Sequence, residues 1–301
     1  MENSFHIASI RINKLFGEKD IFWTLDDDVN IVSGKNGSGK STILRLCFQL
    51  LRDGSITDSR LRGLADEVEI VFLNGYRVKW NKPQTVCFSY NDQGNFITFK
   101  SIKESLEVRY INSFDMIAKE VLNMRREGDN GITMLDLLIR EEINMRNAIF
   151  TGAFEKLLDG IAHNQTLQQV RENNPDIDNF MDFYSRLHVF MNSYRVLIDN
   201  RIRFKRVNDR EFDYTGLSSG EKQVLLLLLI ATNTQRHPCV FIMDEPDMAL
   251  HIRWKQLLIK ELRDINPHMQ LVLSTHSPSV IEGWYRNVKE VKDITIEEEN
   301  R

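Results

Sequence analysis

One eight-residue stretch limits what this chain can fold into more than any other: Gly34-Lys35-Asn36-Gly37-Ser38-Gly39-Lys40-Ser41, with the spacing G-x-x-x-x-G-K-[ST]. Its neighbours strengthen the constraint. Asp28 to Ser33 is a short apolar run that reads as a strand, and Thr42 to Leu51 repeats its apolar residues at helical intervals. A strand that turns through glycines into a helix is what a phosphate-cradling loop needs. The glycines let backbone N–H groups converge on phosphate oxygens, and the helix N-terminus adds partial positive charge. In that geometry Asn36, Gly37, Ser38, Gly39 and Thr42 belong to the cradle, Lys40 reaches the β and γ phosphates, and Ser41 offers its hydroxyl to Mg²⁺. The bland alternative is a glycine-rich turn that binds nothing, and the correct context on both sides weighs against it.

The rest of the chain must supply a core for such a unit. Its 301 residues, 42% of them hydrophobic, suffice for one large domain or two small ones. The longest apolar run, Val224 to Ala231, falls far short of the roughly 20 residues that span a bilayer, and no charged-then-apolar leader opens the sequence. A soluble, cytoplasmic protein without a membrane partner is the expectation. Cys47, Cys87 and Cys239 show no metal-ligand spacing and read as reduced core thiols. A net charge of −4 argues against an unaided, strongly electrostatic nucleic-acid binder, though not against a local basic patch.

Ser4 to Asn13 alternates as a half-buried strand, Leu15 to Asp20 turns, and Ile21 to Leu25 returns, so an antiparallel pair leads into the loop strand. Arg11, Lys14 and Phe16 lie where they could approach a nucleotide base, with surface charge and core packing as the plainer roles. Residues 67–110 read as strands Val68–Leu73, Tyr76–Trp80, Val86–Tyr90 and Phe96–Phe99, with Asn74-Gly75 as a hairpin turn. They form an antiparallel subdomain before Val108–Ile111 returns the chain to a central sheet. Residues 115–200 turn helical in period and read as an inserted lobe of about four helices, with loops at Arg125–Gly131 and Asn173–Asp176. Its Met and Phe stripes are either its core or a partner-binding groove. Arg195 to Arg210 carries six cations against two acids, and Ile202–Lys205 alternates as a strand. This is either a solvated charged edge or a site for nucleic acid or an acidic partner. The boundaries expected are 1–114, 115–200 and 201–301.

Three later stretches add chemistry. Ser218 with Glu221 satisfies a capping box, and the helix that follows, from Val224, is apolar on every side and therefore expected to be buried. Ser218, Ser219 and Gly220 at its start either do no more than begin a helix or present N–H and O–H donors to an anion. Twenty-four residues beyond Gly220, the apolar run Val240–Met243 delivers Asp244 and Glu245, as a buried parallel strand delivers acids to the carboxyl edge of an open sheet. Asp244 suits Mg²⁺ and Glu245 suits a water activated to attack the γ-phosphate. Gln270 to His276 repeats the pattern and ends in a histidine able to contact the γ-phosphate.

In this order, Gly34–Thr42, Leu217–Gln223, Val240–Pro246 and Leu273–Pro278 resemble the Walker A, signature, Walker B and H-loop motifs of ABC-type ATPases. Asp244 to His251 and Ser274 to Pro278 look like the SMC, RecF and OLD-like branch more than transporter subunits. The resemblance covers residues 1–55 and 210–285 and implies an α/β P-loop head with an antiparallel β subdomain and the helical lobe as an insertion. It implies ATP and Mg²⁺ as cofactors and ATP hydrolysis as the activity. It further implies that two heads, or a higher homo-oligomer, sandwich the nucleotide, with Ser219 and Gly220 of one facing Lys40 of the other. No glutamine stands where a Q-loop would place one, and Asn112 or Asp115 are the candidates to replace it.

Members of the branch serve DNA repair and anti-phage defence, several with a fused nuclease. Only 18 residues follow Gly283, too few for such a domain, so the expected effector is a separate nuclease or toxin polypeptide. A DNA-repair clamp without an effector is one rival. The energy subunit of a transporter is the other, disfavoured by the missing glutamine and the long insertion.

Overall fold

The computed structural model describes residues 5–82, 86–112, 133–163, 165–172, 174–198, 202–206 and 210–296. The chain divides into two compact units. The first comprises Met1–Asn112, Pro238–Pro246 and His268–Arg301; the second comprises Ser113–His237 and Asp247–Pro267.

The first unit holds two sheets. Strands β1 (Ile7–Leu15), β2 (Lys19–Thr24), β4 (Glu67–Phe72), β5 (Arg77–Asn81), β6 (Val86–Tyr90), β7 (Phe96–Ile97) and β15 (Thr295–Ile296) make a seven-stranded antiparallel sheet ordered β15-β2-β1-β4-β5-β6-β7. The strand pair before the glycine loop and the hairpins after it, which the sequence suggests as separate pieces, are therefore one sheet, joined by β1 pairing with β4. Strands β3 (Val29–Ser33), β8 (Val108–Asn112), β12 (Cys239–Asp244), β13 (Met269–Ser274) and β14 (Val288–Glu290) form a parallel sheet ordered β14-β3-β13-β12-β8. β12 and β13 are buried at every position, as a parallel strand covered on both faces must be.

Helix α1 (Lys40–Asp53) buries Ile43, Leu44, Leu46, Cys47, Leu50 and Leu51 in a single apolar core shared with both sheets: Ile10, Ile70 and Trp80 from one, Val32, Val240 and Val272 from the other. Short helix α2 (Ser59–Arg62) follows, capped by Asp58. The expected strand through Phe99 ends at Ile97, and Phe99 instead opens helix α3 (Phe99–Lys103). Its ring sits so close to Gly54 that a Cβ there would lie 2.4 Å from it, so packing against the helix end overrides the aromatic residue's strand preference.

In the second unit, helices α4 (Met134–Ala162), α5 (Leu167–Glu172), α6 (Pro175–Phe190), α7 (Ser219–Asn233) and α8 (Ile252–Ile265) accompany a three-stranded antiparallel sheet, β11 (Glu211–Asp213), β10 (Ile202–Lys205) and β9 (Arg195–Ile198). The described part of residues 115–200 holds three helices, and Asp115 and Arg125–Gly131 lie outside the described residues. The loop expected over 173–176 is shorter than that, because Pro175 begins α6 at a position where its missing N–H costs nothing. Phe183, Leu187, Phe190, Met191 and Tyr194 are buried and so belong to the core, whereas Tyr184 of the same stripe is exposed. Helix α7 is buried from Gln223 to Asn233, and two asparagines fasten it. Asn179 donates to the Thr232 carbonyl at 2.7 Å, and Asn233 donates to the Glu142 carbonyl at 2.9 Å and to its carboxylate at 2.7 Å. Short helix α9 (Pro278–Ile281) belongs to the first unit. Among the described residues no helix is long and apolar enough to cross a membrane.

Candidate functional site

The glycine loop follows the burial gradient of β3, which runs from a fully covered strand to the exposed residues Lys35, Asn36 and Gly37. Gly34, Gly37 and Gly39 take φ of 144°, 78° and 114°, the left-handed region that only glycine enters without strain. Gly39 is the N-cap of α1 and brings no side chain to it, and no acid occupies the first turn, so the helix presents its backbone donors to an anion. Phe16 packs beside this point: a Cβ on Gly39 would come within 3.1 Å of its ring. Of the three residues considered for a base contact, Phe16 thus borders the loop, 40% exposed and in the left-handed region at φ 58°. Arg11 instead stacks on the Phe22 ring at 5.0 Å. Lys14 helps form the hairpin turn, its backbone N–H bonded to Asp20 at 2.8 Å.

Parallel register brings the rest together. Asp244 closes β12 directly opposite Ser274 of β13 and Asn112 of β8, and β3 lies on the far side of β13. Asp115 lies outside the described residues; Asn112, the other residue considered for the Q-loop, ends β8 at this edge. Lys40, 5% exposed, donates to the carbonyls of Gly34 at 3.0 Å and Lys35 at 3.4 Å, and lies 2.6 Å from His276 Nε2. Burial holds its ammonium below the usual lysine range, with Glu245 and Asp244 pulling the other way. The same imidazole nitrogen is 3.3 Å from Glu245 Oε1. An ammonium can only donate, so the shorter contact makes Nε2 the acceptor and places the ring proton on Nδ1; it leaves no N–H for Glu245.

Asp244, 1% exposed, receives two hydroxyl donors on one oxygen: Ser41 at 3.0 Å and Ser274 at 2.5 Å, both on Oδ1. Its Oδ2 is buried without a hydrogen-bond partner. An orphaned carboxylate oxygen beside a serine hydroxyl is a hard-donor set that fits Mg²⁺. Among the described residues no three His, Cys, Asp or Glu side chains converge to hold an ion alone. Glu245 follows at φ 51°, a conformation costly to a residue with a Cβ. Ser274 is the residue that the motifs did not single out. The sequence signals it only by its place two positions before His276, at the start of the Ser274–Pro278 stretch, where an apolar run ends.

The remaining predicted residues lie in the second unit. Ser218 caps α7, exchanging bonds with Glu221: its N–H and hydroxyl donate to Glu221 Oε2 at 2.8 and 2.7 Å. Ser219 is exposed. Gly220 is buried, with the Ala249 carbonyl only 2.5 Å from where a Cβ would stand. The other carboxylate oxygen of Glu221 accepts from Tyr194 at 2.8 Å, and the Tyr194 hydroxyl in turn accepts from Arg206 at 2.9 Å. In the basic stretch, Arg201 and Asp209 lie outside the described residues. Register puts Arg195 opposite Lys205 on the exposed face of the small sheet, while Arg203 pairs with Glu211 at 2.6 Å.

Residues 100–282 match the family described as "AAA domain, putative AbiEii toxin, Type IV TA system". The Septu protein PtuA of Bacillus thuringiensis is 22% identical over 303 residues, which are 92% of this chain and 73% of PtuA. The Retron Vc95 probable ATPase of Vibrio cholerae serotype O1 biovar El Tor is 33% identical over 85 residues, 25% of this chain and 16% of that protein. The Retron Ec83 probable ATPase of Escherichia coli is 25% identical over 224 residues, 67% and 39% of the two chains. The matches thus span well under half of either retron protein. Among solved structures, an SMC head bound to the C-winged helix domain of ScpA superposes with a TM-score of 0.64 at 15% identity, over 95% of this chain and 94% of that one. The SMC head domain from Thermotoga maritima does so at 0.52 and 17%, over 92% and 91%. At these identities the likeness is one of fold: an α/β P-loop head of the SMC kind.

Proposed function

The chain belongs to the AAA-domain family whose description names a putative AbiEii toxin of type IV toxin–antitoxin systems, and from that premise we propose that it is an Mg²⁺-dependent ATPase of anti-phage defence whose heads pair on ATP and control a separate effector, a nuclease or toxin. The observation that carries this is the meeting of Lys40, Ser41, Asp244, Glu245 and His276 through a continuous set of polar contacts, brought by three segments of one parallel sheet edge.

In this reading the backbone donors of Asn36–Thr42 hold the phosphates, and Lys40 exchanges its bonds to Gly34, Lys35 and His276 for phosphate oxygens. Ser41 and Asp244 would hold Mg²⁺, which when bound neutralises charge building on the phosphates. Glu245 orients the attacking water and accepts its proton, and His276, freed from Lys40, contacts the γ-phosphate. Ser218, Ser219 and Gly220 serve a second copy's nucleotide. Because Ser219 is exposed at the start of a 15-residue helix, it is available to such a partner.

The test is a pair of variants. Glu245→Gln should accumulate an ATP-bound assembly with turnover reduced at least 100-fold, whereas Lys40→Ala should lose nucleotide binding. Wild-type turnover in Glu245→Gln removes the assigned base. A nucleic-acid partner is a second reading, supported by Arg195 lying directly across from Lys205, a like-charge pair that an anion would relieve. Salt-sensitive binding to DNA, lost in the double variant Arg195→Ala and Lys205→Ala, would favour it.

A further inference from the structure

We infer that Ser274 is a positioning residue for the magnesium site, clamping the Asp244 carboxylate and the Glu245 turn with one hydroxyl; the inference rests on the ATPase reading above. Ser274 is the last residue of β13 and is completely buried. A hydroxyl has one proton to give, and here it goes to Asp244 Oδ1 at 2.5 Å. Its lone pair is then left for the Glu245 N–H, at 3.0 Å. One side chain on the neighbouring strand therefore holds both members of the acidic pair, the first by its carboxylate and the second by its backbone.

Two features make this more than local satisfaction of polar groups. Asp244 Oδ1 has a second donor, Ser41, but the Ser41 oxygen is also the one that a cation would claim. Ser274 is the donor with no such competing duty, so it fixes Oδ1 as the oxygen that stays bonded and leaves Oδ2 as the one that would be open to a cation. The Glu245 backbone sits at φ 51°, where a residue with a Cβ persists only if its surroundings hold it. The Ser274 carbonyl, 3.2 Å from the same N–H, is a longer and weaker support than the hydroxyl.

The experiment uses the full chain with Mn²⁺ as a spectroscopic substitute for Mg²⁺, titrated by electron paramagnetic resonance in the presence of a non-hydrolysable ATP analogue. Loss of a partner that orients a metal ligand commonly weakens metal affinity about 10–100-fold, and Ser274→Ala should fall in that range. Its affinity for the analogue in EDTA should stay within about twofold of wild type, since the phosphate cradle is untouched. Ser274→Thr keeps the hydroxyl and should keep the affinity. Ser274→Cys, which fills the same space with a weaker donor, should shift in the same direction as alanine and stands in if the alanine variant does not fold. Unchanged Mn²⁺ affinity in the alanine or cysteine variant overturns the inference. So does an equal loss of nucleotide binding in EDTA, which would mark Ser274 as a packing residue. If the wild type itself binds nucleotide with no contribution from metal, the ATPase reading fails instead.

Discussion

Replacing Gly220 by alanine tests whether the start of α7 is organised for its own chain as well as for a ligand. The added Cβ would stand 2.5 Å from the Ala249 carbonyl oxygen, roughly 0.9 Å short of ordinary contact, and the obstructing atom is backbone, which cannot rotate aside. Overpacking of this kind costs about 1–3 kcal/mol, while exchanging glycine for alanine in a helix returns up to about 1 kcal/mol. The net destabilisation is therefore about 1 kcal/mol, and it concentrates on residues 247–251, which must retreat. Hydrogen exchange reads this directly. The Leu250 N–H, bonded to the Asp247 carbonyl at 3.0 Å, should exchange about fivefold faster in Gly220→Ala, while β12 and β13 stay protected. ATP turnover should fall with it, since the proposed function needs Ser218, Ser219 and Gly220 held in place at the start of α7. Unaltered exchange at Leu250 together with an unaltered melting temperature would show that no such contact constrains Gly220.

Two further expectations concern titration and reactivity. Asp136 is buried, which opposes its charge, yet its bonds to Lys222 and Thr133 leave the carboxyl below its ordinary range. A folded value below the unfolded one means stability present above the unfolded pKa, near 3.9, and lost as pH falls through the folded value. Asp136→Asn should therefore flatten the acid limb of stability against pH below about pH 4, measured by denaturant midpoints, and an unchanged limb would contradict the assignment. The Cys47 thiol is wholly buried and pushed up to about 12, so iodoacetamide at pH 8 should alkylate it only after unfolding. Labelling at Cys47 in the native protein, mapped by mass spectrometry, would place it elsewhere than the core beneath α1.

Much of this architecture is decided by residues close together in the chain. The glycine spacing from Gly34 to Gly39, the apolar period of Thr42–Leu51, the Ser218–Glu221 box and the unbroken run Val240–Met243 each specify an element through short-range sterics and burial. Those elements formed where the sequence places them, and the order of the motifs carried the P-loop fold. What local pattern could not decide is everything set by register between distant strands. Asp244 meets Ser274 because two parallel strands end level with each other, 30 residues apart in sequence. Phe16 meets Gly39 through the hairpin's turn, and Phe99 leaves its strand because Gly54 offers a gap for its ring. The hairpins join the first strand pair in one sheet through β1 and β4. Backbone hydrogen bonding makes a strand available for pairing but does not name its neighbour; that choice is made by which faces bury together, and it alone put the serine under the aspartate.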